Sequence, residues 1–75
     1  MAGNPPIVVH RISASGGRRV TVRGRIMGLA QSDDEVLDLV GRAGLDRTAD
    51  LLADPTMVEW ADGRPHQYRR AELLP

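Results

Sequence analysis

His10 and His66 are the two imidazoles of this 75-residue chain, and neither has sequence neighbours that would make it a metal ligand or a catalytic base. No HxxxH spacing sets two imidazoles on one helical face, and no cysteine supplies a thiolate nucleophile or a structural zinc site. A GxSxG elbow, a GxGxxG turn and a lysine-bearing phosphate loop are also missing, so the common hydrolase, dinucleotide and P-loop chemistries lack their residues. The reading is a non-enzymatic protein with no catalytic residue, no metal site and no cofactor.

The chain offers charge instead, set out in blocks. Residues 1–31 hold five arginines and no acid, residues 32–62 nine acids and two arginines, and residues 63–75 three arginines and one acid, so that +5, −7 and +2 cancel to zero. Such blocks either complement one another inside the fold or face a charged partner. Asp46, Asp50 and Asp54 recur every four residues. On a helix they form one acidic stripe, at a repulsive cost of a few tenths of a kcal/mol per pair, and they are the candidate protein-binding residues. Arg19, Arg23 and Arg25, with Arg64, Arg69 and Arg70, are the candidate nucleic-acid-binding residues, because several arginines on one surface neutralise phosphates. Gly16-Gly17-Arg18-Arg19 has the composition of a phosphate cradle, but a tight turn between strands already accounts for its glycines.

Four elements are expected to position these groups. Residues 7–14 and 18–27 are rich in Val, Ile, Thr and Arg and flank Ser15-Gly16-Gly17, a β-hairpin pattern. Along its second strand Val20, Val22 and Ile26 fall on one face and Arg19, Thr21, Arg23 and Arg25 on the other. Ser32-Asp33-Asp34-Glu35 has the capping-box spacing and opens a helix whose Val36, Leu37, Leu39, Val40 and Ala43 form one apolar arc. Asp38 and Arg42 pair at i,i+4 on its outer side, and Gly44 ends it with Leu45 folded back. Residues 46–54 read as a second short helix stopped by Pro55. Asp62-Gly63 reads as the turn of a second hairpin that pairs Trp60 with Pro65, Glu59 with His66 and Met57 with Tyr68. The order ββααββ gives an α+β fold, an antiparallel sheet with the helices on one face.

At this length one domain spans residues 1–75, with flexible ends at 1–6 and 71–75. A chain so short buries only about 60% of the surface its unfolded form exposes. Domains below about 70–80 residues commonly add disulfides, a metal or a second subunit. With cysteine excluded, a homo-oligomer is expected. Trp60 and Tyr68 are the only aromatics, too few for a stacking platform on single-stranded nucleic acid. No run approaches the roughly 18 apolar residues of a membrane span and no export signal opens the chain, so a cytoplasmic protein that does not engage a membrane is expected.

Residues 34–70, DEVLDLVGRAGLDRTADLLADPTMVEWADGRPHQYRR, resemble a winged helix-turn-helix domain in order: a helix, the AGLDRT turn into a second helix, then a VEW-ADGR wing with basic residues. The resemblance implies DNA-reading positions at Arg47 and Thr48 and backbone contacts from Arg64, Arg69 and Arg70. Pro55 cuts the recognition helix to about nine residues, and its aspartates would repel phosphates. The combination of RRVTVRG, RAGL and VEW-ADGRPHQY also resembles short proteins of high-GC actinobacteria, which implies a bacterial cytosol. The functional expectation is an interaction or regulatory module that binds a protein partner or a second copy through its charged faces, with a winged-helix-like nucleic-acid binder as the alternative.

Overall fold

The computed structural model describes residues 4–48 and 50–69. Within them, β1 (Ile7–Ile12), β2 (Arg18–Val22), β3 (Arg25–Ala30) and β4 (Val58–Trp60) form one sheet in the order β3-β2-β1-β4. The helix α1 (Asp33–Arg42) and a 3-10 turn at Leu51–Ala53 lie between β3 and β4. The α+β class stands, but the order is βββαβ rather than ββααββ. The sheet is mixed, because β4 pairs parallel to β1 through Ile7↔Val58, Val8↔Glu59 and Val9↔Trp60. The expected frayed tail at 71–75 lies outside the described residues.

Three local causes produce the differences. The expected second strand is two strands, because Arg23-Gly24 reverses the chain between Val22 and Arg25. Both turn residues have positive φ, 54° and 82°, the type I′ form whose twist matches antiparallel strands and which glycine at the second position permits. Pairing then sets Ile26 opposite Thr21, which moves it off the face it was expected to share with Val20 and Val22. The expected second helix at 46–54 is one 3-10 turn, since a segment this short between Gly44 and Pro55, with repelling aspartates at i,i+4, has little helix stability of its own. Asp62-Gly63 does form a turn, with Gly63 N–H donating to Trp60 O at 2.9 Å. The chain after it makes no second hairpin: Gly17 N–H takes the carbonyl of Tyr68 at 2.7 Å, and residues 61–68 fold back over the β1–β2 end of the sheet.

The core lies between α1 and one face of the sheet. Ile7, Val9, Val20, Val22 and Val58 meet Val36, Leu39 and Val40 of α1 and Leu51 and Leu52 of the 3-10 turn, all buried, each worth about 1.5–3 kcal/mol on burial. Gly28, opposite Val20, allows this close packing: a Cβ there would stand 3.2 Å from Leu39 Cδ2. The ends of α1 follow the sequence. Ser32 Oγ accepts from Glu35 N–H at 3.2 Å, and Glu35 Oε1 accepts from Gln31 N–H at 2.7 Å. At the far end Gly44 N–H reaches Gly41 O and Leu45 N–H reaches Val40 O, the paired bonds of a Schellman cap. Asp38 and Arg42 pair at 2.9 Å.

Candidate binding face

The sheet has a second face, turned away from α1. Register places Val8, Arg19, Thr21, Ile26, Leu29 and Glu59 on it. Neither α1, which packs on β2 and β3, nor the 3-10 turn, which packs on β4, covers it. Ile26 and Leu29 are the exposed large apolar side chains among the described residues, at 64% and 51% exposure. Arg19 lies directly across from Leu29.

A bulge adds to this face. Between Val9↔Val20 and Ile12↔Arg18, β1 advances three residues while β2 advances two, so His10 and Arg11 together oppose Arg19. The three side chains, with Ser13, Leu29 and Ala61, line one hollow of about 390 Å³. His10 Nε2 shares a 3.0 Å hydrogen bond with Thr21 Oγ1, which fixes the ring against the sheet. Arg11 and Arg19 take part in none of the ion pairs among the described residues, which join Arg18 to Asp62, Arg42 to Asp38 and His66 to Asp33.

The candidate arginines are scattered. Arg19 is on the open face. Arg23 sits in the β2–β3 turn, its N–H donating to Pro6 O at 2.6 Å. Arg25 is opposite Val22, on the helix side, where with Arg23, Val22, Met27 and Ala43 it lines a separate hollow of about 260 Å³. Arg64 and Arg69 are exposed in the chain after β4, and Arg70 lies outside the described residues. The expected cationic strand face of Arg19, Arg23 and Arg25 is therefore divided by the turn.

The acidic stripe is not formed either. Asp46 and Asp50 are exposed in irregular chain on either side of residues 47–49. Asp54 serves its own loop: its Oδ1 accepts from the Thr56 hydroxyl at 2.6 Å and the Thr56 N–H at 2.9 Å. These two bonds, the hydroxyl first, hold its carboxyl below the ordinary carboxylate value against a small opposing effect of desolvation.

At the sheet's end, on the helix side, stands a polar cluster that sequence reasoning missed. Arg18 is completely buried, at 0% exposure. Its Nε donates to His10 O at 2.7 Å; one Nη reaches Arg64 O at 2.7 Å and Gln67 O at 3.1 Å; the other reaches Asp62 Oδ1 at 2.7 Å and Val9 O at 3.4 Å. The guanidinium also lies 5.2 Å from the Trp60 ring centroid. The bonds to Asp62, Arg64 and Gln67, with Gly17 N–H to Tyr68 O and Ala61 N–H to Val9 O, tie residues 61–68 to the sheet in place of the expected second hairpin. His66, expected opposite Glu59, instead donates from Nδ1 to Asp33 Oδ2 at 2.6 Å, and the Tyr68 hydroxyl donates to Asp33 Oδ1 at 2.5 Å. The signal for Arg18 was present, since it shares strand parity with Val20 and Val22. The signal for the hollow was not, because the β1 bulge leaves no mark in the residue pattern.

Every donor of Arg18 is used within the fold, and Asp33 joins His66 and Tyr68 to the first turn of α1. This cluster is a clamp on the chain after β4. The open face is different, with Arg11 and Arg19 outside every ion pair among the described residues and Ile26 and Leu29 exposed. Of the elements that the winged-helix likeness implies, the helix Asp33–Arg42 and the VEW strand are among the described ones, and a second α-helix and a strand after the Asp62-Gly63 turn are not. No described helix is long and apolar enough to cross a membrane. Comparison with protein-family models, with curated proteins and with solved structures finds no match for this chain.

Proposed function

We propose that this chain is a non-enzymatic interaction module that binds an acidic surface of a partner protein through the open face of its sheet. The observation that carries the reading is the composition of that face. Arg11 and Arg19, unpaired among the described residues, stand beside the exposed Ile26 and Leu29. Arginine is enriched at protein interfaces, whose fully buried centre is more apolar than the remaining surface. A phosphate-backbone surface has no need of exposed isoleucine and leucine, and it gains from arginines gathered on one side. Here Arg19 and Arg25 point to opposite sides of the sheet.

Site-specific photo-crosslinking in the cell tests the reading. A photoreactive residue at Ile26 or Leu29 is expected to give discrete adducts, and one at Asp38, on the outer side of α1, none. Equal labelling at all three positions, or none at Ile26 and Leu29, sinks the assignment. An adduct of twice the chain's mass would make the partner a second copy. Duplex DNA binding that weakens steeply with salt and is lost in Arg19→Gln would favour the nucleic-acid alternative.

A further inference from the structure

We propose that the hollow lined by His10, Arg11, Ser13, Arg19, Leu29 and Ala61 binds a phosphate monoester carried on a side chain of the partner protein. This rests on the open face being a protein interface and supplies that interface's chemical determinant.

The first argument is charge. Arg11 and Arg19 bring two permanent positive charges to one hollow of about 390 Å³, none of its lining residues is acidic, and neither arginine joins an ion pair among the described residues. Two guanidinium groups facing one concavity repel each other. An anion between them removes that repulsion and adds charge-assisted hydrogen bonds. A carboxylate brings a single negative charge, which leaves one of the two guanidinium charges unbalanced. A phosphate monoester offers a charge of about −1.5 to −2 and three acceptor oxygens, the match for two forks.

The second argument is geometry. Arg19 is paired with Leu29 of β3, and the pairs Val9↔Val20 and Ile12↔Arg18 bracket the bulge that sets His10 and Arg11 together across from Arg19. A site built on strands holds its groups more closely than one built on loops. His10 is held by Thr21 and walls one side. Ser13 spends its hydroxyl proton on Gly16 O, so it shapes the rim rather than the ligand contact. Leu29 and Ala61 add an apolar wall, which strengthens nearby electrostatic contacts and leaves room for the carbon stem of the phosphorylated residue.

The test is a titration of the nitrogen-15-labelled protein with O-phospho-L-serine, inorganic phosphate and adenosine monophosphate, with sodium chloride as the ionic-strength control. Backbone amides of residues 10–13, 19 and 29 and the Nε–H groups of Arg11 and Arg19 are followed. Saturable shifts confined to these groups are expected with phosphoserine, with affinity reduced about tenfold or more in Arg11→Gln and in Arg19→Gln and unchanged in Arg23→Gln. Both substituted side chains are exposed, so the fold is retained. Shifts that are linear in concentration, reproduced by chloride, or shared equally by Arg23, Arg25 and Arg64 overturn the site. Tighter binding of adenosine monophosphate than of phosphoserine overturns the protein source of the phosphate. Crosslinks at Ile26 and Leu29 without phosphoserine binding remove this inference and leave the interface; phosphoserine binding without crosslinks removes the interface.

Discussion

Arg18 and Arg19 are adjacent in β2 and have opposite fates. Arg18 is fully buried, with five acceptors for its donors and an aromatic ring beside it. Arg19 is exposed and joins no ion pair among the described residues. Strand parity alone separates them, since successive side chains leave a strand on opposite sides. On one side the charge is spent inside the molecule, closing residues 61–68 onto the sheet. On the other it remains available. The contrast shows why arginine count or net charge says little about binding: what matters is which guanidinium groups the fold has already satisfied.

The contrast breaks most sharply on substitution to a side chain of similar length. Arg18→Met removes the ion-pair partner of Asp62, whose Oδ1 keeps only the Arg64 N–H, and takes a guanidinium donor from the carbonyls of Val9, His10, Arg64 and Gln67. The expected loss is about 3–5 kcal/mol, a large part of the roughly 5–10 kcal/mol stability of a small domain. Arg18→Lys keeps the charge but has three donors and no planar fork, so it should recover only part of the loss. Arg19→Met is expected to stay within about 0.5 kcal/mol of the parent. Urea midpoints at constant slope measure all three. Equal effects at the two positions would show that the burial of Arg18 does not determine its role.

A smaller effect is expected where the same closed region meets α1. Asp33 accepts from both His66 and Tyr68. Asp33→Ala and Tyr68→Phe should each cost about 1–2 kcal/mol, and the double variant less than their sum, with a coupling of about 1 kcal/mol in a double-mutant cycle. Additive losses would mean that the 2.5 Å contact contributes nothing of its own.

Legibility in the sequence follows the range of the interactions. The cap at Ser32 and Glu35, the Asp38–Arg42 pair, the Gly44 ending and the β1–β2 hairpin are all set by residues a few positions apart, and all are present. The sheet's far edge was not legible. The parallel pairing of β4 with β1 joins Val9 to Trp60 through no local signal, and the strand-like composition of residues 18–27 hid the reversal that Gly24 marked. The closed cluster was half legible. Arg18 has the parity of a core residue, but its acceptors arrive from Asp62, Arg64 and Gln67, and without that loop in place a buried arginine has no rationale. The aspartate repeat misled because a spacing of four has structural meaning only on a helix, and the described residues 46–48 and 50 are not helical.

Asp54 gives the smallest and most local effect, and it tests whether the irregular chain before β4 has any structure to lose. Its carboxyl is held below its ordinary value by the Thr56 hydroxyl and then by the Thr56 N–H. A carboxyl whose folded value is depressed adds stability above its unfolded value, and that stability disappears as pH falls through the folded one. Asp54→Asn keeps an oxygen acceptor for Thr56 but removes the charge that strengthens both bonds. The parent should therefore unfold at a slightly higher urea concentration than Asp54→Asn at neutral pH, with the gap closing in the acid range where the carboxyl gains its proton. A gap that persists unchanged in acid would assign the effect to the shape of the loop. No gap at any pH would mean that this loop opens freely in the folded protein, so that of the three candidate aspartates none is held in place by an ordered bond to its own neighbourhood.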